Sequence, residues 1–119
     1  MIVDAHLHVW RPAPDYPHPE ATTVSPQCDV PLELFAQYMD EYGVNRAVLV
    51  QPLYPGEDNS YVADAAAGQP DRYKAVCVVD PRKPDAAERL EYWARLALHR
   101  SLHLLPSSAY HHMDRPQCF

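Results

Sequence analysis

The sequence is poor in glycine, in basic charge and in long apolar runs. It has three glycines and 13 prolines among its 119 residues, which indicates stiff loops rather than flexible linkers. The formal net charge is −6 and no basic face is discernible, which argues against nucleic-acid binding. No apolar stretch approaches the roughly 20 residues that a membrane-spanning helix needs. We therefore expect one small globular domain with neither a membrane nor a nucleic acid as its partner.

Cysteine is equally scarce. Cys28, Cys77 and Cys118 lie too far apart for a zinc-binding or redox motif, and their odd number favours a reducing compartment. The N-terminus lacks the basic region and the long apolar region of a signal peptide. A cytoplasmic location is the prediction. Cys77 lies within an apolar run, which is typical of a small buried hydrophobe.

Three short apolar runs predict three strands, over residues 1–9, 46–50 and 73–79. The second run, RAVLV, is almost wholly apolar, which is typical of a strand buried on both faces of a parallel sheet. The second and third runs begin 27 residues apart, about the length of one βα unit. The predicted fold class is therefore α/β with a parallel sheet, and the predicted domain covers residues 1–98.

A helix is predicted between the first two strands. Asp29 and Pro31 suit its start, and Gly43 followed by Val44 suits a Schellman end. Apolar residues recur at helical spacing along this segment and predict its buried face: Leu34, Phe35, Tyr38, Met39 and Tyr42.

Two further helices follow the second and third strands. Asp58 or Asn59 can cap the second helix, which Gly68 ends. Asp85 and Glu88 have the spacing of a capping box at the start of the third helix. The alternation of strands and helices thus gives about three βα units.

Two segments lack this regularity. Residues 10–28 contain five prolines and predict a long loop, a feature that is often functional. Residues 99–119 predict an irregular, poorly ordered tail, in which residues 101–105 are a candidate fourth strand.

The most informative motif is Asp-Ala-His-Leu-His in the first strand. Simple alternation would put Asp4, His6 and His8 on one face, where two neutral imidazoles can ligate one divalent cation. Asp4 could orient an imidazole through a hydrogen bond or join the site itself. With seven histidines, chance alone gives roughly 0.4 such His pairs per chain. The carboxyl end of a leading strand, where parallel α/β folds assemble their sites, favours the metal interpretation.

Residues 4–10, DAHLHVW, resemble the first-strand signature of the amidohydrolase superfamily. The similarity is greatest to the amidohydrolase-related branch, which includes lactonases. Further short motifs follow in the order that this branch shows, and the resemblance covers about residues 1–95: YGV at 42–44, AVLVQP at 47–52, DNS at 58–60, PDRY at 70–73 and VVDP at 78–81.

This resemblance implies a (β/α)₈ barrel, also called a TIM barrel, with His6 and His8 at its metal end. A divalent metal, commonly zinc, would polarise the carbonyl of an ester, lactone or amide. Gln51, Asp58 and Asn59 match positions that face the active site and could bind a small polar substrate. For Asp58 and Asn59, the alternative is a purely structural helix cap.

The chain also departs from the family pattern. A barrel of this kind needs about 250 residues, and the family takes its remaining metal ligands and general base from later strands. We therefore expect a partial barrel, the N-terminal portion of a truncated or frame-shifted metal-dependent hydrolase. Its full-length relatives would act on a lactone or another C–O or C–N bond of a small polar acid, and this chain would be inactive alone.

Two alternatives remain open. The chain could be a non-enzymatic fragment that associates with itself through exposed strand edges. It could instead be a small α/β metal-binding module in which a tail histidine joins His6 and His8.

Overall fold

Three strands and three helices alternate along the chain. The computed structural model describes residues 1–11, 30–52 and 58–96. Its elements, in chain order, are β1 (Val3–Leu7), α1 (Leu32–Tyr42), β2 (Arg46–Val50), α2 (Ser60–Gly68), β3 (Tyr73–Val76) and α3 (Ala86–Leu96). The strands form one sheet in the order β1-β2-β3, and both pairs are parallel.

This architecture confirms the predicted α/β class with three βα units. The candidate strand at 101–105, the rest of the predicted tail and nearly all of the predicted loop lie outside the described residues. Within the described ranges, no helix has the length and apolar character that crossing a membrane requires.

The bounds of β2 are those predicted, whereas β1 and β3 are shorter than the apolar runs that predicted them. The ladder of β3 stops at Val76 because its partner strand, β2, ends at Val50. The Gln51 N–H, one residue beyond β2, still donates to the Val76 carbonyl at 2.9 Å. Two residues later, the main chain of Val78 bonds to the side chain of Asn59 instead. The residues up to Val79 nevertheless remain buried.

The hydrophobic core lies between one face of the sheet and the helices. Side chains at every second strand position enter it, as the two-residue period of a strand requires. The core members are Leu7, Val9, Ala47, Leu49, Tyr73, Ala75, Cys77 and Val79 from the strands and their extensions, with Met39, Val62, Ala63, Ala66 and Trp93 from the helices. The intervening strand positions belong to the opposite face of the sheet.

Cys77 behaves as the sequence predicts. It is a free, buried thiol within the core, and burial raises its pKa to about 11. A thiol with that pKa stays protonated near neutral pH and is therefore a poor nucleophile and a poor metal ligand.

Helix α1 buries only part of the predicted stripe, because Phe35 and Met39 lie on the buried side whereas Leu34 is 41% exposed. Met39 is buried, and Leu32 and Phe35 pack against the core, which gives a stripe with spacings of three and four residues. Tyr38 and Tyr42 are instead 51% and 69% exposed. Tyrosine combines an apolar ring with a polar hydroxyl, so its spacing alone does not identify the buried face.

The predicted end of α1 is confirmed. Gly43 has a φ of 70°, in the left-handed region, and the Val44 N–H donates to the Met39 carbonyl at 2.8 Å. This is the bond that defines a Schellman motif, and it satisfies one of the last carbonyls of the helix.

Two glycines allow a matched test of this turn. An added Cβ would meet nothing within 4 Å at either Gly43 or Gly68, so the backbone alone distinguishes them. We predict that Gly43→Ala lowers the free energy of unfolding by about 1–2 kcal/mol, because its φ is positive. Gly68→Ala, at the end of α2, should instead raise it by up to about 1 kcal/mol. Urea unfolding measures both, and equal effects of the two variants would contradict the account.

Candidate metal and substrate site

The candidate site lies where the three parallel strands end, because their carboxyl ends meet at one edge of the sheet. Leu7 and Val9 enter the helix-facing core, so the side chain of His8 between them belongs to the opposite face. The ring of His6 lies against that of His8 on the same face, with 5.0 Å between the ring centroids and 88° between the planes. The structure therefore brings the two predicted imidazoles together.

A main-chain contact orients His8. Its Nδ1 lies 2.9 Å from the carbonyl oxygen of Val50, the last residue of β2. A carbonyl oxygen only accepts hydrogen bonds, so Nδ1 carries a proton, and in the neutral ring Nε2 has the lone pair. Histidines that bind metals commonly have their second ring nitrogen fixed in this way. The arrangement makes Nε2 of His8 the candidate ligand atom.

The rings of His6 and His8 meet edge to face with 5.0 Å between their centroids. Two imidazoles bound tetrahedrally to one zinc ion at about 2.0–2.1 Å would have a similar centroid separation, about 5 Å. Among the residues described, no group of three or more His, Cys, Asp or Glu could hold a metal. Zinc usually takes four ligands. Metal binding by His6 and His8, and the identity of the metal, stay predictions.

Asp4 does not follow the predicted alternation. Asp4 pairs with Ala47, whereas Leu7 pairs with Leu49, so three steps along β1 correspond to two along β2. Paired residues in neighbouring strands present their side chains to the same face, and Ala47 faces the helices. The prediction that Asp4 shares a face with both histidines is therefore wrong, because β1 contains an extra residue. Its carboxylate accepts a hydrogen bond from the main-chain N–H of His6 at 3.1 Å.

Gln51 follows β2 directly and is only 2% exposed. Its side-chain amide donates to the carbonyl of Asp58 at 2.9 Å, which ties the end of β2 to the start of α2. Substrate binding by Gln51 stays a prediction.

Asp58 and Asn59 precede α2 and have different structural partners. An Asp58 carboxylate oxygen accepts hydrogen bonds from the N–H and the hydroxyl of Ser60, the first residue of α2. Asn59 is the N-cap residue, but its side chain makes no capping bond to the helix. Its amide instead accepts from the Val78 N–H at 2.7 Å and donates to the Val78 carbonyl at 2.9 Å. Contact of either residue with a substrate stays a prediction.

The carboxyl end of β1 has further supports that no motif indicated. Trp10 and Val30 exchange two main-chain hydrogen bonds in an isolated antiparallel bridge, of 3.0 and 3.2 Å. Arg11 forms a 2.6 Å ion pair with Glu33 in the first turn of α1. These contacts connect residues more than 19 positions apart, so local sequence patterns cannot reveal them. They hold the chain immediately after His8 against the start of α1.

Tyr61 provides another link of this kind. Its hydroxyl accepts a hydrogen bond from the main-chain N–H of Leu32 at 2.8 Å and so satisfies a free donor at the start of α1. Burial raises the pKa of this hydroxyl, which therefore stays protonated. Helix α2 thus fixes the start of α1 as well as the end of β3.

Asn59 gives a test of the structural part of the site. The Asn59→Ala variant should lower the free energy of unfolding by about 2–4 kcal/mol, because it leaves the buried main-chain groups of Val78 unpaired. Gln69→Ala, at the exposed end of the same helix, serves as the control and should change it by less than about 0.5 kcal/mol. Urea unfolding monitored by circular dichroism measures both, and a loss no larger for Asn59 than for Gln69 would show that the paired amide is unimportant.

Comparison with known proteins points to one family. A family model described as "Amidohydrolase" matches residues 3–114. A 4-sulfomuconolactone hydrolase of Hydrogenophaga intermedia is 35% identical over 78 residues, which are 66% of this chain and 25% of that protein. A protein of the same name from Rhizobium radiobacter is 40% identical over 62 residues, covering 52% and 20%. The chain therefore spans about a quarter, or less, of the length of these relatives.

Solved structures agree on the fold. One is a probable 2-pyrone-4,6-dicarboxylic acid hydrolase from Acinetobacter baumannii with citric acid bound, with a TM-score of 0.61 and 21% identity. The match covers 87% of this chain and 48% of that one. A protein of Agrobacterium tumefaciens in its apo form has a TM-score of 0.63 and 20% identity, over 81% and 34%. The three parallel βα units correspond to part of a (β/α)₈ barrel, as the sequence predicted.

Proposed function

This chain belongs to the amidohydrolase family, and we propose that it provides the first three βα units and two metal ligands of a metal-dependent lactone hydrolase. The observation that carries this proposal is the His6–His8 pair. Its rings lie 5.0 Å apart at the carboxyl end of β1, and the Val50 carbonyl holds His8 in the tautomer that leaves Nε2 free. Histidine imidazoles are frequent protein ligands of a catalytic zinc ion.

The residues of this chain have distinct roles in the proposal. A divalent cation bound here would supply Lewis acidity to polarise a carbonyl. His6 and His8 would hold that cation, and the Val50 carbonyl fixes the direction of the His8 ring. Gln51 and Asn59 keep the ends of the strands in place through their buried amides.

The names of the relatives support the proposed substrate class. The curated relatives are named for a sulfomuconolactone, and one structural relative for a pyrone dicarboxylic acid. Both names describe a cyclic ester that bears acidic groups. We propose that a protein containing these three units hydrolyses an acidic lactone of this kind, or a related C–O or C–N bond.

Two ligands are few for a catalytic metal site. A catalytic zinc usually has three protein ligands and one open position, and the described residues offer two. We therefore propose that the 119-residue chain binds zinc or manganese weakly and does not turn over lactones.

Zinc titration of the purified full chain by calorimetry tests this proposal. We expect one binding event that becomes at least about tenfold weaker in the His6→Ala/His8→Ala double variant, because two ligand bonds are lost. We also expect no metal-dependent turnover when the same samples are assayed with a panel of acidic lactones.

The adjacent histidines of the tail provide the matched control. The His111→Ala/His112→Ala variant removes the same number of imidazoles and should bind zinc as the unmodified chain does. Zinc binding that survives the loss of His6 and His8 would contradict the proposed ligands. Binding lost in both variants would support the metal-binding module with a tail histidine, and turnover would refute the inactivity of the chain.

Association with a second copy is the other candidate. Strand β1 pairs on one side only within the described sheet. Its first residue and the two residues before it are exposed and apolar: Val3, Met1 and Ile2. Such edges favour pairing with another strand. Light scattering measures the molar mass in solution, and we expect a value above that of the monomer. A monomer at a protein concentration on the order of tens of micromolar would contradict this prediction.

A further inference from the structure

The extra residue in β1 decides which face of the sheet carries the histidines. Asp4 pairs with Ala47, and both Ala47 and Leu49 enter the helix-facing core. With regular pairing, His6 would lie opposite Leu49 and would face the helices. The extra residue moves Leu7 into that place instead. A one-residue shift reverses the face of every side chain beyond it, so His6 and His8 turn away from the core.

An extra residue in a strand has a cost, because it interrupts the main-chain ladder. The carboxylate of Asp4 accepts a hydrogen bond from the His6 N–H at 3.1 Å, within the irregular stretch between Asp4 and Leu7. A side-chain acceptor at this place satisfies a main-chain donor within the interruption.

We propose that Asp4 is a positioning residue whose side-chain oxygen, by accepting the His6 N–H, holds the β-bulge that turns His6 and His8 to the metal-binding face. The role requires a hydrogen-bond acceptor and not a negative charge. Asparagine, which has the same shape and retains a carbonyl oxygen, therefore replaces aspartate in this role, whereas alanine does not. A metal ligand, or a charged partner of an imidazole, would show a different pattern.

The metal part of this inference rests on the proposed function, but the β-bulge itself does not. The test therefore needs a readout without metal. Hydrogen exchange of the His6 amide, followed by NMR on the metal-free full chain, reports directly on the bond to Asp4. Zinc titration by calorimetry then reports whether the histidine pair remains in place.

The variants are Asp4→Ala, Asp4→Asn and a control, Asp71→Ala, which removes an exposed carboxylate outside the strands. In Asp4→Ala we expect the His6 amide to exchange about tenfold faster and zinc to bind about tenfold more weakly, as the loss of one hydrogen bond implies. Asp4→Asn and Asp71→Ala should stay within about twofold of the unmodified chain in both measurements.

Several outcomes would overturn the inference. One is unchanged His6 exchange in Asp4→Ala. Another is Asp4→Asn with protected His6 exchange but zinc binding as weak as in Asp4→Ala, which would assign the role to the charge. If Asp4→Ala fails to fold, Asp4→Asn still decides, because it must retain both properties. If zinc affinity does not change when His6 and His8 are replaced, the proposed function is refuted. The exchange measurement on the metal-free chain would still test the β-bulge.

Discussion

The two-residue alternation of side chains along a strand is the constraint on which this structure depends. Each strand must turn apolar side chains toward the helices, and whatever chemistry it carries must lie on the opposite face. Strands β2 and β3 satisfy this with a regular register. Strand β1 satisfies it only through an extra residue between Asp4 and Leu7, which buries Leu7 and Val9 and exposes the two imidazoles. The register of β1 therefore determines both which side chains enter the core and which face carries the two histidines.

The ends of the strands are held by bonds between side chains and the main chain. His8 bonds to the Val50 carbonyl, Gln51 to the Asp58 carbonyl, and Asn59 to both main-chain groups of Val78. A parallel ladder ends at this edge, so its last polar groups need other partners. Amide side chains supply both a donor and an acceptor, which explains why buried Gln51 and Asn59 lie beside the candidate site.

Much of the fold follows from local sequence. The run RAVLV predicts β2 with its observed bounds, and Gly43 with Val44 predicts the end of α1 because a Schellman turn needs these residue types in this order. The face of Asp4 was not predictable, because the extra residue in β1 appears only when β1 is aligned with β2. The exposed Tyr38 and Tyr42 escaped prediction because tyrosine suits both a core and a surface.

The proximity of His6 and His8 could be predicted from their spacing, whereas the orientation of His8 could not, because its partner is a main-chain carbonyl of another strand. That orientation decides whether Nε2 of His8 is available to a metal, and a long-range ¹⁵N–¹H NMR spectrum of the metal-free full chain measures it. With His8 assigned through a His8→Gln variant, we expect the Nδ1-protonated tautomer and a zinc-induced shift at Nε2. An Nε2-protonated ring, or an Nε2 signal that zinc leaves unchanged, would contradict it.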